Sequence, residues 1–316
     1  MRGNRVPIRM EKKCYTIEKI MSAAEQGMLM RDYLKKEIKV SRRALSAIKY
    51  KGGKLLVDGQ ERSVRHVLQE GERLTVIFPQ ETPSDFLSDE EMDLDIVYED
   101  DTVLIVNKPA GIPVIPSHQY PSGTLANGLL RYFKNENLAS TVHIINRLDR
   151  NTSGLMLVAK HRFSHERFFK MQKRKDIHRR YLAIVEGNVL QDHGTIDAPI
   201  GRKDGSAIER MVDWQSGRRS VTHYKVLKRG VGWTLVVVRL QTGRTHQIRV
   251  HFASIGYPLL GDDLYGGKMD QINRQALHSF EVSFIHPFTD EMIHIHKQCP
   301  EDMVRLINEQ INLETI

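Results

Sequence analysis

The chain has 316 residues and a mass of 36.4 kDa, too long for one minimal module and comfortable for two domains of roughly 100–200 residues each. Its 40% hydrophobic and 27% charged residues place it with globular proteins, outside the collagen-like, low-complexity and disordered classes. No apolar run approaches the roughly 18 residues that a bilayer span needs, so a membrane protein is not expected. Arg2, Arg5, Arg9, Lys12 and Lys13 precede no apolar stretch, so a secretory signal is not expected and a cytoplasmic location is. Cys14 and Cys299 lie at opposite ends of the chain and offer neither a disulfide framework nor a CxxC pair.

The 47 basic and 39 acidic residues leave a net charge of +8, which favours polyanionic partners. The distribution says more. Residues 1–80 hold 18 basic and 9 acidic side chains, residues 81–101 hold 10 acidic and no basic ones, and residues 102–316 hold 29 and 20. The acidic stretch, opened by Pro83 and Ser84, reads as a solvated linker between two basic modules. The expected organisation is an N-terminal extension (1–26), a small module (27–79), the linker (80–93), a larger domain (94–305) and a C-terminal tail (306–316).

In the small module, Leu29, Tyr33, Leu34 and Ile38 mark one helix face, and Ser41 is placed to cap a second helix from Arg42 to Tyr50. Strand signals follow at Lys54 to Val57 and at Arg73 to Phe78, around the Asp58-Gly59-Gln60 turn. The helices carry Arg31, Lys35, Arg42, Arg43, Lys49 and Lys51, a density suited to the phosphates of folded RNA, with a merely solvated helix face as the alternative. This order, "RDYLKKEIKVSRRALSAIKYKGGKLLVDGQ" followed by "VLQEGERLTV", resembles the S4 RNA-binding domain.

Beyond Leu94, strand-like runs dominate: Ile96 to Tyr98, Val103 to Asn107, Gly154 to Ala159, Tyr181 to Glu186, Thr222 to Leu227 and Thr234 to Leu240. Helical patterns occupy Leu125 to Tyr132 and Phe163 to Met171. The expectation is an α+β fold on a mixed, largely antiparallel sheet with flanking helices. The polar string from Ile145 to Gly154 leads directly into one of these strands. Within it Asp149 lies between Arg147 and Arg150, and nearby positive charge favours a carboxylate able to act as nucleophile or base. A structural ion pair is the competing explanation.

Two more strings add to it: "RRYLAIVEG" from Arg179 to Gly187, and "LQTGRTHQIRVHFASIGYPLLGDDLYGG" from Leu240 to Gly267, the latter read as a Gly turn joined to a basic strand. With "NRLDRNTSGLMLVAK" and "VNKPAGIPV" they resemble, in order, the motif regions of the RluA-type pseudouridine synthases, many of which carry an S4 domain in front. The resemblance implies that the chain isomerises uridine in ribosomal or transfer RNA, breaking the bond from N1 to ribose C1′ and joining C5 to C1′. No atom is gained or lost, so the family needs no cofactor, metal or redox group. By the resemblance Asp149 is the essential carboxylate, attacking C1′ or removing the 2′ proton. Arg249 is its ion-pair partner, and Tyr181 stacks on the uracil near C5. Arg147 braces the flipped base, and Leu277 lines the apolar side. Asn146 counts with Arg147 and Leu277 as a substrate-binding candidate; it stands where many relatives have His, and lacking the proton that His can carry it is expected to shape the RNA-binding turn. Lys160 to Arg180 holds nine basic and two acidic residues and suits phosphate.

Other signals are weaker. His286, His294 and His296 invite a metal, but no ligand motif supports one. Gly261 to Lys268 resembles a phosphate loop with one residue too many before the lysine, and Asn151-Thr152-Ser153 fits a glycosylation sequon that lacks a secretory context. The rival functions are a noncatalytic RNA-binding or ribosome-assembly factor, which has no need of Asp149, and a phosphate-transferring hydrolase, which lacks a second acid at Asn151. A monomer is expected.

Overall fold

The computed structural model describes residues 13–309; Arg2, Arg5, Arg9, Lys12 and the end of the tail, 310–316, lie outside them. The N-terminal module comprises β1 (Thr16–Ile20), α1 (Met30–Lys36), α2 (Arg42–Tyr50), β2 (Lys54–Val57), β3 (Gln60–Glu61) and β4 (Arg73–Ile77), with the strands in the antiparallel order β1-β4-β2-β3. Ser41 Oγ accepts from the Ala44 N–H at 3.1 Å and caps α2. Alternation along β2 and β4 sends Leu55, Val57, Leu74 and Val76 into a core with Met30, Leu34 and Ile48. β1 comes from the segment assigned to an extension. Its sequence, TIEKI, is exposed at all but one position, so no apolar alternation announces it, and the ladder to β4 holds it in place.

The larger domain runs β5 (Ile96–Glu99), β6 (Val103–Lys108), α3 (Leu125–Asn135), β7 (His143–Ile144), β8 (Ser153–Ala159), α4 (Arg162–Arg174), β9 (His178–Glu186), β10 (His193–Asp197), β11 (Ile200–Arg202), β12 (Arg210–Val212), β13 (Val221–Gly230), β14 (Trp233–Leu240), α5 (Gln247–Ser254), β15 (Leu277–Ile285), β16 (Met292–His296) and α6 (Glu301–Glu309). Its main sheet has the order β10-β13-β14-β9-β15-β8-β6-β5, with β16 added to β15 and β7 to β8; β11 and β12 form a separate hairpin. This is the mixed, largely antiparallel sheet with flanking helices expected from the sequence. β6 and β8 are apolar almost throughout because both faces are covered. Leu104, Val106, Met156 and Val158 pack with α3 and α5, and Val103, Ile105, Leu155 and Leu157 pack with Phe168 of α4.

Three further features differ from the sequence reading. The stretch read as a basic strand, QIRVHFAS, is helix α5; its first six residues are all buried, so no polar face reveals a helical period. α6 crosses the boundary drawn at 306, with Met303 and Leu306 buried against Ile184 and Leu235. The acidic linker is packed onto the larger domain. Asp89 pairs with Arg131 and Lys134, Glu91 pairs with Arg131, and Asn127 Nδ2 donates to Ser88 O at 2.8 Å.

The modules meet through aromatic side chains. Phe163 of α4 belongs to the N-terminal module's core and stacks on Phe78 with ring centroids 4.7 Å apart, and Tyr15 stacks on His161 at 3.5 Å. Burial, with His143 and Lys160 adding, pushes the His161 pKa down to about 3, so the ring is neutral in this apolar joint. Among the described residues no helix is long and apolar enough to cross a membrane.

One glycine sets the geometry at the centre of the sheet. β8 and β15 pair in parallel through His278↔Ser153 and Ser279↔Gly154. Gly154 has φ +116°, and a Cβ there would lie 2.3 Å from Ser279 O, a contact that backbone cannot yield cheaply. Gly154→Ala is expected to destabilise the chain by about 3 kcal/mol or more, read as a lower urea midpoint, because it pries β15 from β8.

Candidate active site

The loop from Ile145 to Thr152 joins β7 to β8 and is anchored on every side. Lys108, fully buried at the end of β6, donates from Nζ to Pro109 O, Ile112 O and Arg150 O at 2.7, 2.9 and 2.9 Å. Burial pushes its pKa down to about 7, with Asp149 opposing. Arg274 Nη1 donates to Asn151 O, and Gln275 Nε2 donates to Thr152 Oγ1, both at 3.2 Å. Leu148 is buried in the core while Asp149 next to it remains partly exposed.

Arg249 projects from α5 toward this loop. Its Nε and Nη2 donate to the two carboxylate oxygens of Asp262, both at 2.7 Å, and its Nη1 donates to Asp149 Oδ2 at 3.3 Å. Asp262 is fully buried. Burial works against the guanidinium charge, but hydrogen bonds and charge from Asp262, supported by Asp149, hold the Arg249 pKa above its ordinary value. The ion pair expected between Arg249 and Asp149 is present, yet it is the longer contact; the bidentate partner is Asp262.

Gln247, the first residue of α5, fixes the approach of that helix. Its Oε1 accepts from Thr242 Oγ1 and the Arg244 N–H, and its Nε2 donates to Val221 O and Thr222 Oγ1, all within 3.0 Å. The stretch that superficially resembled a phosphate loop instead carries Asp262 and Tyr265. The Tyr265 ring lies 5.0 Å from the Arg249 guanidinium carbon, and its hydroxyl bonds His246 Nδ1 at 2.8 Å.

A cleft of about 60 Å³ opens over Asp149, lined by Arg147, Tyr181, His246, Arg249 and Leu277 among others. Tyr181 on β9 and Leu277 on β15 are both buried and line it together with residues of α5. Arg147 is exposed at its rim and has no ion pair among the described residues. Asn146 is not part of this cleft. Its Oδ1 accepts from the Leu157 N–H at 2.9 Å, so it ties the loop to β8. Sequence reasoning missed Lys108, His246, Asp262 and Tyr265, although all four lie inside the strings that carried the resemblance.

The six basic candidates of the N-terminal helices are exposed. Arg31 faces Asp32 at 3.7 Å, and Lys49 lies over the Tyr50 ring at 4.6 Å. None lines the Asp149 cleft. The three histidines considered for a metal have separate partners. His286 bonds Thr102 Oγ1 at 2.9 Å, His294 lies 3.6 Å from Glu281, and His296 packs edge-on against Phe280. Among the described residues no three His, Cys, Asp or Glu side chains are placed to hold a metal ion together.

The pattern of the family described as RNA pseudouridylate synthase matches residues 102–254, a span that contains Asp149, Tyr181 and Arg249. The chain is 48% identical over 271 residues to the uncharacterized RNA pseudouridine synthase YjbO of Bacillus subtilis, covering 86% of this chain and 95% of that one. The chain belongs to the RNA pseudouridine synthases. It is also 38% identical over 272 residues to the ribosomal large subunit pseudouridine synthase D of Pseudomonas aeruginosa, covering 82% and 84% of the two chains. The solved structure of human RNA pseudouridylate synthase domain containing 1 shares the fold at TM-score 0.56 and 26% identity, covering 72% of this chain and 90% of that one. Pseudouridine synthases are isomerases, and in this one the buried Asp262 orients the arginine that faces Asp149. Asp262→Asn removes one partner of a buried ion pair and is expected to cost about 3–5 kcal/mol, measured by urea unfolding, and to depress uridine isomerisation without touching the cleft.

Proposed function

We propose that Asp149 is the carboxylate that attacks ribose C1′ or removes the 2′ proton of a uridine held in this cleft. The observation that carries the reading is its position. One oxygen faces Arg249, the other is free of hydrogen bonds among the described residues, and the whole group opens onto a cleft walled by Tyr181 and Leu277. Tyr181 presents a ring to the uracil, and Arg147 at the rim fills the space left by the flipped nucleotide. The freed base turns within the cleft before C5 bonds to C1′ and sheds its hydrogen. Purified protein given cellular RNA labelled with tritium at uridine C5 is expected to release the label, and Asp149→Asn to reduce release to background. Release by the variant at the wild-type rate rules out this role.

The substrate in this reading is structured RNA, with ribosomal RNA favoured by the names of relatives such as the Pseudomonas aeruginosa enzyme, and the setting is the cytoplasm. The N-terminal module acts as an S4-like RNA-binding unit through Arg31, Lys35, Arg42, Arg43, Lys49 and Lys51. A cleft of about 610 Å³ between the modules supports a continuous phosphate path. Lys39 lines it from the N-terminal module and Arg167, Lys170 and Arg174 line it from α4, against only Asp176 and Asp290 of opposite sign. Replacing Lys39, Lys170 and Arg174 together by Gln in the full chain is expected to reduce the salt dependence of stem–loop RNA binding. The slope of log K against log salt should fall by about 2; an unchanged slope removes this cleft from the path.

A further inference from the structure

His246 occupies an unusual position at the start of α5. Its backbone is left-handed, with φ 57° and ψ 18°, a conformation that costs a residue bearing a Cβ. The hydrogen bonds of Gln247 to Thr242 and to the Arg244 N–H hold the turn in that shape. The imidazole is thereby directed into the Asp149 cleft, with its side chain only 10% exposed.

The hydrogen bonds around the ring favour one tautomer. The Arg210 N–H donates to the Tyr265 hydroxyl oxygen at 2.9 Å. That hydroxyl keeps its own proton, and its neighbouring acceptor is His246 Nδ1 at 2.8 Å. With Nδ1 accepting, the neutral ring is protonated at Nε2. Burial keeps the ring below its ordinary pKa, although Asp149 opposes the shift. Nε2 has no hydrogen-bond partner among the described residues. It stands 3.9 Å from Asp149 Oδ1, too far for a hydrogen bond and beside the oxygen that Arg249 leaves free.

Building on the role proposed for Asp149, we propose that His246 donates its Nε2–H to the ribose 2′-oxygen of the bound uridine. Asp149 must approach C1′ or C2′, and the 2′-oxygen is bonded to C2′, the carbon next to C1′. A donor beside Oδ1 therefore meets it as the carboxylate reaches the sugar. The contact fixes the ribose against Asp149 and favours a ribonucleotide, since the 2′-hydroxyl is the group that DNA lacks. Tyr265 and the Arg210 backbone act through His246 and are positioning groups.

The test uses the full chain and cellular RNA labelled with tritium at uridine C5. It compares three variants whose melting temperatures are measured alongside. A glutamine amide nitrogen reaches the place of Nε2, and an asparagine amide reaches that of Nδ1. His246→Ala is expected to release label about a hundredfold more slowly, and His246→Gln to recover to within about tenfold of wild type. His246→Asn, which retains only the Tyr265 side of the ring, is expected to stay near the Ala value. Recovery by Asn above Gln, or wild-type release by Ala, overturns the proposal and assigns His246 to packing against Tyr265. Label release absent from the wild type itself overturns the reading of the reaction, and this contact with it.

Discussion

The site depends on how one guanidinium divides its donors. Arg249 gives a short, bidentate pair of hydrogen bonds to Asp262, which is wholly buried, and a single longer one to Asp149. A planar fork bound along one edge is fixed in orientation, so the remaining Nη1 has a set direction. Two carboxylates share one cation, and only one of them is sealed from solvent. Asp262 serves to hold the arginine, and Asp149 keeps an oxygen uncommitted. Were Asp149 the bidentate partner, both of its oxygens would be occupied and the carboxylate would be least available for the role proposed for it.

That division requires parts of the chain far apart in sequence to meet within a fraction of an ångström, and the sheet provides it. β8 carries the Asp149 loop at its start, and β15 begins with Leu277. The two strands pair in parallel only at their first residues, where Gly154 lets the backbones approach. β9 lies on the other side of β15 and brings Tyr181 opposite Ser279. α5 packs Ile248 and Phe252 into the same core as Tyr181 and Leu277, so Arg249 projects from a helix whose neighbouring positions are locked. Lys108 adds a further restraint by binding carbonyls from two loops at once.

Strands β2, β4, β5, β6, β8, β9, β13 and β14 and the α+β class were legible in the sequence because alternation and apolar runs survive without coordinates, and the ordered motifs pointed to Asp149, Tyr181, Arg249 and Leu277 through the resemblance, whereas β15, on which Leu277 sits, was not read as a strand. What was hidden depends on long-range contacts or on burial all round. α5 looked like a strand because its buried residues span its whole circumference. β1 has a charged sequence and is held by backbone pairing. Asn146 next to Arg147 and Asp149 suggested a substrate contact, yet the loop turns its amide toward Leu157 N–H. Asp262 sat in a string that resembled a phosphate loop, and only the fold shows that its carboxylate faces Arg249. Sequence spacing locates residues along a chain, whereas the partner of a buried charge is chosen by tertiary packing.

The two basic modules are likewise less independent than their charge pattern suggests. An acidic segment between them would be free to extend if its carboxylates were only solvated, but Asp89 and Glu91 are drawn onto Arg131 and Lys134 of α3. Phe163 is buried in the core of the other module, and His161 lies neutral under Tyr15. Removing the N-terminal module would uncover these rings, so it cannot be deleted as a simple appendage. The same joint places Lys39 across a cleft from Lys170 and Arg174. Phosphates bound there would contact both modules at a spacing set by aromatic packing rather than by a flexible linker. Rigid spacing between charges favours RNA whose backbone already has the matching shape, since neither partner then has to be ordered on binding.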